Sequence, residues 1–211
     1  MTTLVYVGAN EGSTLWNLID KFDSVYVFEP DPEIFQTLNK RYKQFEWVTL
    51  VNAACSDVEG EVDLYITPNR VSTSLADASD VEKSCEGFSQ HVQKVIKVQC
   101  VNLSNYLQSQ GVEEIDLYFS DTQGSDLTIL KTLKDNYIDT KKIKQMFVET
   151  HGNGVQIYSG LNNEFDGFKE ILSDNYEFAH ASLGSQGGKI VEEKDIPEGE
   201  KEWDSFWELK S

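Results

Sequence analysis

Apolar residues fall first into a short unbroken run, Leu4-Val5-Tyr6-Val7, which stops at Gly8-Ala9-Asn10-Glu11-Gly12-Ser13. A run this short with glycine at its end is the pattern of a buried strand and a tight turn. Leu15, Leu18, Ile19 and Phe22 then recur at helical spacing, which predicts a helix directly after the turn. The unit repeats. Residues 24–28 form a second apolar run ending in Glu29-Pro30-Asp31-Pro32, and Phe35, Leu38 and Tyr42 share one face of a second helix. Residues 47–51 and 61–67 predict further strands, the latter alternating Val62, Leu64 and Ile66 with polar neighbours, with Asp57-Val58-Glu59-Gly60 as the turn between them. Residues 68–93 are polar and irregular, and predict a loop or lid over the carboxyl ends of the strands.

Order returns with a strand at 95–101, a short helix at 103–108, a strand at 115–120, a helix at 126–134 and a strand at 144–149. A helix at 165–172 precedes strands at 176–181 and 203–209, while 184–188 and 197–200 read as loops or hairpin connections. Alternating strands and helices predict an α/β fold, a mostly parallel sheet with helices on both faces. Two late strands without a helix between them predict an antiparallel edge strand. Trp203, Phe206 and Trp207 crowd the last strand, and because neighbouring strand residues point to opposite faces, Phe206 and Trp207 cannot share a role.

A chain of 211 residues is the size of one such domain, here residues 1–211. Its first strand begins almost at Met1, which sets the expectation that the chain is cut from a longer polypeptide whose upstream segment packs against it. Cys55, Cys85 and Cys100 form no CxxC pair and read as reduced, structural thiols. No run approaches the ~20 apolar residues of a membrane span and no secretory leader opens the chain, so a cytoplasmic protein with no membrane partner is expected. The net charge of −18 repels phosphate backbones and disfavours nucleic acid as a partner. The one basic cluster, Lys141, Lys142 and Lys144, reads as a solvated face.

Two local features narrow the chemistry. The glycine turn at residues 8–12 lets backbone N–H groups approach a ligand. Glu29 ends the next strand about 20 residues on, the spacing at which a carboxylate accepts the hydroxyls of a ribose. Neither G-x-G-x-x-G nor G-x-x-x-x-G-K-[ST] is present, which disfavours nicotinamide and nucleoside triphosphate cofactors, dehydrogenase chemistry included. A nucleoside without phosphate, S-adenosylmethionine, fits better.

Five segments carry a resemblance. Residues 7–12 (VGANEG), 27–32 (VFEPDP), 51–57 (VNAACSD), 115–124 (IDLYFSDTQG) and 147–151 (FVETH) resemble, in order, the motifs of FkbM-type methyltransferases. The resemblance covers about residues 4–151 and implies a seven-stranded Rossmann-like class I methyltransferase sheet, S-adenosylmethionine as cofactor with S-adenosylhomocysteine as product, and O-methylation of a hydroxyl, often on a saccharide. It implies that Gly8, Ala9, Asn10 and Gly12 line the methionine part of the cofactor, that Glu29, followed by Pro30, holds the ribose, and that Ala54 and Ser56 border the adenine. Ser72, Thr73 and Ser74 resemble the small polar segment that closes over the site, and Asp121 would lie beside the methyl group. The chain departs from the family at Tyr6, usually an acid, and at Gln123, usually a glutamate.

Methyl transfer requires the acceptor oxygen in line with the sulfonium carbon, and a base for the hydroxyl proton. Asp121, Glu149 and His151 all end predicted central strands, and His151 is the first choice of base because its ordinary pKa lies near neutral pH. A minor alternative has Asp121 and Glu149 sharing a divalent cation that acidifies the hydroxyl. The competing reading is a non-catalytic docking module of a larger protein, favoured by Tyr6 and Gln123 and opposed by Asn10, Glu29, Asp121 and His151.

Overall fold

The computed structural model describes residues 1–84, 91–184 and 188–211. Strands β1 (Thr3–Val7), β2 (Ser24–Phe28), β3 (Val48–Val51), β7 (Ile115–Ser120), β8 (Ile143–His151), β9 (Tyr176–Leu183), β10 (Lys189–Val191) and β11 (Glu202–Leu209) form one sheet in the order β10-β9-β11-β8-β7-β1-β2-β3. Strands β4 (Ala54–Ser56), β5 (Gly60–Ile66) and β6 (Lys94–Asn102) form a separate sheet, ordered β4-β6-β5. The helices are α1 (Pro32–Tyr42), α2 (Asp80–Lys83), α3 (Leu103–Ser109), α4 (Asp126–Thr132) and α5 (Phe165–Leu172).

The α/β Rossmann-like fold is therefore as expected, with three corrections. Eight strands, not seven, make the main sheet among the described residues, because β10 adds a hairpin to β9. The antiparallel strand is not confined to the edge: β11 inserts between β8 and β9 and runs antiparallel to both. The strand at 61–67 does not pair with its predecessor across a turn; three-residue β4 intervenes, and β5 pairs with β6. A fourth difference is local. The helix expected after the glycine turn is two 3-10 turns, Leu15–Asn17 and Ile19–Lys21. Ser13, Thr14, Asn17 and Asp20 are weak helix formers, and Thr14 supplies no side-chain cap, which favours tight turns over a continuous helix.

Helix α1 forms as its sequence demands. Asp31 caps it by accepting from the Glu33 and Ile34 N–H groups, Pro32 occupies the first turn, and Leu38 and Tyr42 bury its apolar face. They pack with Leu15, Ile19, Tyr6 and Val27 on one side of the sheet. On the other side α3, α4 and α5 bury Leu103, Leu107, Leu127, Leu130, Phe168 and Leu172 against Val5, Tyr118, Val148 and Trp207. Trp207 is thus core, while Phe206 is half-buried on the opposite face and stacks on His180. Strand register aligns Tyr6, Phe119, Phe147, Phe206 and His180 in one row across β1, β7, β8, β11 and β9. Ring centroids within this row lie 4.4 Å apart for Tyr6 and Phe119 and 4.6 Å for Phe119 and Phe147.

Cys55 and Cys100 are free and buried; Cys85 lies outside the described residues, as do residues 185–187 of the loop expected at 184–188. Among the described residues no helix is long and apolar enough to cross a membrane.

Candidate active site

A cavity of about 1070 Å³ runs along the carboxyl edge of the main sheet. Sheet order arranges its walls. Beyond β3 lie Ala53, Ala54 and Cys55 with Leu64; at the end of β2 lie Glu29 and Pro30; after β1 come Gly8, Ala9 and Asn10. Asp121 and Gln123 follow β7, Glu149 comes from β8, and Glu202 and Asp204 come from the start of β11. Ser182, Gly184 and Ile190 close the far end. Residues Arg70 to Leu75 form part of the wall, so the expected lid over the strand ends is present in that stretch. The part of the expected lid at 85–90 lies outside the described residues.

The glycine turn is built around Glu29. Gly8 and Ala9 donate their N–H groups to the Phe28 carbonyl, and the Asn10 N–H donates to Glu29 Oε2 at 2.8 Å. Glu29 Oε1 accepts from the Asp31 N–H at 2.8 Å. Asn10 adopts a left-handed conformation (φ 50°), which asparagine tolerates, and its amide donates to the Arg70 carbonyl at 3.2 Å, tying lid to turn. Burial pushes the Glu29 carboxyl up to about 7, outweighing its two backbone hydrogen bonds. Arg70 is held by Asp31 and Glu33, so its guanidinium is committed to carboxylates rather than to a phosphate.

Not every expected binding residue faces the cavity. Gly12 (φ 79°) sits behind the turn, where its carbonyl accepts from the Tyr42 hydroxyl and an added Cβ would meet the Tyr42 ring at 2.5 Å. Ser56 is buried and bonds Asp57, away from the walls. Ser74 lines the cavity and donates its hydroxyl to the Gln123 carbonyl at 2.6 Å.

The second half of the cavity is acidic. Gln123 Nε2 donates to Asp121 Oδ1 at 2.8 Å and to Glu149 Oε1 at 2.7 Å, and the Gly124 N–H donates to Glu149 Oε2 at 3.0 Å. Tyr158 donates its hydroxyl to Gln123 Oε1 at 2.6 Å. Below them, buried Asp126 accepts from the Ser120 hydroxyl and from Asn163 Nδ2, whose own Oδ1 accepts from the Leu127 N–H. Loss of bulk water and the charge of Asp126 push the Asp121 carboxyl up to about 6; burial, then Asp121, raises Asp204 to about 7. Glu149 lies well above the usual carboxylate range, through burial first and then the charge of Asp121.

The Gln123 amide corrects one expectation. Asp121 and Glu149 do not face each other across space for a cation, because that amide sits between them and donates to both. A glutamate at 123 would set a third carboxylate against the other two. Gln123→Glu is expected to lower stability of the cofactor-free protein by about 1–3 kcal/mol at pH 8 and less at pH 5, read from thermal melts at both pH values. Tyr6, the other departure, packs against Phe119 in the cavity wall.

His151 does not line the cavity. It is buried at the end of β8, its backbone N–H donates to the Asn163 carbonyl, its Nε2 has no partner, and burial holds its imidazole down at about 4. An imidazole so disfavoured as a cation is a weak base at neutral pH. Glu202 and Asp204 line the cavity, and Tyr158 and Asn163 bond residues of its acidic end, though no motif in the sequence singles out the four. For Glu202 and Asp204 a signal exists in their alternation with Trp203, Ser205 and Trp207, which marks a two-faced strand whose polar face meets the cavity.

Comparison with known proteins places the chain in a family. The model of the methyltransferase FkbM domain matches residues 7–180. The 2-O-methyltransferase NoeI of Sinorhizobium fredii (strain NBRC 101917 / NGR234) is 22% identical over 161 residues, 73% of this chain and 64% of NoeI. This chain therefore spans just under two thirds of that relative. Among solved structures, the fibrillarin/Nop5p complex aligns with 99% of this chain and 73% of its own at 15% identity and a TM-score of 0.50, a likeness of fold alone. M. capricolum TrmK, in complex with S-adenosyl-homocysteine, aligns with 100% of this chain and 63% of its own at 12% identity and a TM-score of 0.47. With most of its length matched by the family model, the chain belongs to the FkbM methyltransferase family.

Proposed function

We propose that the chain is an S-adenosylmethionine-dependent O-methyltransferase that methylates a hydroxyl of a sugar or glycan. The observation that carries this reading is the sequence of chemistry along the cavity. Small apolar walls (Ala53, Ala54, Leu64) suit a flat base, the Glu29 carboxylate suits a ribose, and the Gly8–Asn10 turn and the acidic end suit a cationic amino acid. Bound there, S-adenosylmethionine supplies an electrophilic methyl group. Gly8, Ala9, Asn10, Glu29, Pro30 and Ala54 are the residues that would hold it, and Ser74 would close over it.

The acceptor then occupies the stretch of cavity beside β8, β11 and β9. Its hydroxyl must lose a proton, and Asp121 is the better base than His151: it opens onto the cavity, and its pKa of about 6 lies nearer neutral than an ordinary aspartate's. Gln123 fixes the Asp121 carboxylate through Oδ1. A hydroxyl acceptor is supported by the relative that is a 2-O-methyltransferase, and the −18 net charge disfavours nucleic acid, which leaves a neutral polyol such as a saccharide as the acceptor proposed. Buried free Cys55 and Cys100 suit the cytoplasm. The docking-module reading weakens because Gln123 organises the acids instead of leaving a collapsed site.

Calorimetric titration with S-adenosylmethionine and S-adenosylhomocysteine tests the cofactor. Saturable binding is expected, reduced about 100-fold or more in Glu29→Ala, because the ribose hydroxyls lose a charged acceptor and two backbone N–H groups lose theirs. Incubation with a panel of saccharides, read by mass spectrometry for one added methyl, tests the acceptor. Binding unchanged in Glu29→Ala would remove the nucleoside reading.

A further inference from the structure

Glu202 lies directly across the antiparallel β8–β11 ladder from His151, and Glu149 precedes His151 by two residues on the same face of β8. A ring nitrogen of His151 and one carboxylate oxygen each of Glu149 and Glu202 lie within 4.8 Å of one another. His151 is 2% exposed, yet its Nε2 has no hydrogen-bond partner. A buried polar atom without a partner is costly, and few native sites leave one without a reason.

We propose that Glu149, His151 and Glu202 form a binding site for a divalent transition-metal ion at the acceptor end of the cavity. One imidazole and two carboxylates are a borderline donor set that suits Mn²⁺ or Zn²⁺. The ligands come from two adjacent strands, so the sheet itself fixes their spacing. Glu149 is oriented by Gln123 Nε2 and the Gly124 N–H, which hold its oxygens while leaving further lone pairs for a metal. Glu202 reaches the ion from the exposed rim, where ions enter. Three protein ligands leave at least one position open. On the methyltransferase reading above, an ion held by Glu149, His151 and Glu202 would polarise an acceptor hydroxyl near it, with Asp121 as the residue that would take the proton; the metal site itself does not depend on that reading.

The test uses the whole chain stripped with a chelator, with no S-adenosyl compound present. Mn²⁺ is titrated and followed by loss of the free-ion electron paramagnetic resonance signal, and Zn²⁺ by calorimetry. One saturable site is expected, weakened at least 30-fold by Glu202→Gln and by His151→Ala. Glu202→Gln alters an exposed side chain and leaves the core intact, so its result stands even if His151→Ala fails to fold. Absence of saturable binding, or affinity unchanged in Glu202→Gln, overturns the proposal. S-adenosylhomocysteine binding in chelator is measured separately: its failure counts against the cofactor reading, and the metal result against this one.

Discussion

Gly8→Ala is expected to unfold more readily than wild type, with a melting temperature roughly 5–15 °C lower, and to lose S-adenosylhomocysteine binding altogether. Two costs combine. Gly8 has φ 77°, where an L side chain is strained, and an added Cβ would lie 1.9 Å from the Asp121 backbone oxygen. The strain costs about 1–3 kcal/mol and the overpacking about as much again. At about 2–4 °C per kcal/mol for a chain of this size, the two give the shift. The clash cannot be relieved by rotating a side chain, because the obstacle is the backbone at the end of β7. The Asp121 N–H donates to the Val7 carbonyl, so pushing the strands apart breaks the pair that carries both halves of the cavity. Gly60→Ala is the control: it also has positive φ (107°), but nothing lies within 4 Å of the added Cβ, so only the strain remains. Circular-dichroism melts of the two variants separate the effects. Equal losses at both positions would show that crowding at the β1–β7 junction is not what Gly8 avoids.

What can be read from the sequence follows from what is local. The runs at β1 and β2 and the faces of α1 and α5 show themselves through periodicity, because one strand or helix buries one side whatever its neighbours. Glu29 and the glycine turn are legible for the same reason: their relation spans a single strand-turn-helix unit. The 3-10 turns are not, since Leu15, Leu18, Ile19 and Phe22 have helical spacing while the polar residues between them are weak helix formers. Strand β4 has only three residues, too few for any period, and its sheet is closed by β6 from far along the chain.

The acceptor half of the site depends on where β11 inserts, and nothing local in residues 202–209 says that they lie between β8 and β9. That insertion places Glu202 opposite His151 and brings Asp204 to the cavity. His151 does stand at a strand end, as its sequence context implies, but whether it faces solvent, the cavity or a partner is decided by the strand beside it and by the segment carrying Tyr158, whose ring lies 6.2 Å away. Burial then turns an ordinary histidine into a poor base and a free ligand atom.

Glu29 makes the protein's stability depend on pH in a direction opposite to that of most carboxylates. Its pKa rises from 4.5 in the unfolded chain to about 7 in the fold, so between those values the folded state binds more protons. Stability from this group is fully present below pH 4.5 and is lost as pH rises through 7, by on the order of 3 kcal/mol. His151 works the other way: lowered from 6.5 to about 4, it contributes stability above pH 6.5 that is lost on acidification. His151 and the other raised acids, Asp121, Glu149 and Asp204 among them, titrate in wild type and variant alike, so the comparison with Glu29→Gln isolates the Glu29 contribution. In chelator and without cofactor, chemical denaturation is expected to show the stability of Glu29→Gln rising relative to wild type by about 3 kcal/mol from about pH 4.5 to pH 8. A difference constant over that range would mean that Glu29 stays ionised in the fold, its two backbone donors outweighing burial. The same linkage reaches function. Ribose hydroxyls donate hydrogen bonds to a carboxylate and favour its ionised form, so S-adenosylhomocysteine binding near pH 7 should release protons and tighten as pH rises through that value. Calorimetry in two buffers of different ionisation enthalpy reads the release directly, and Glu29→Gln should abolish it.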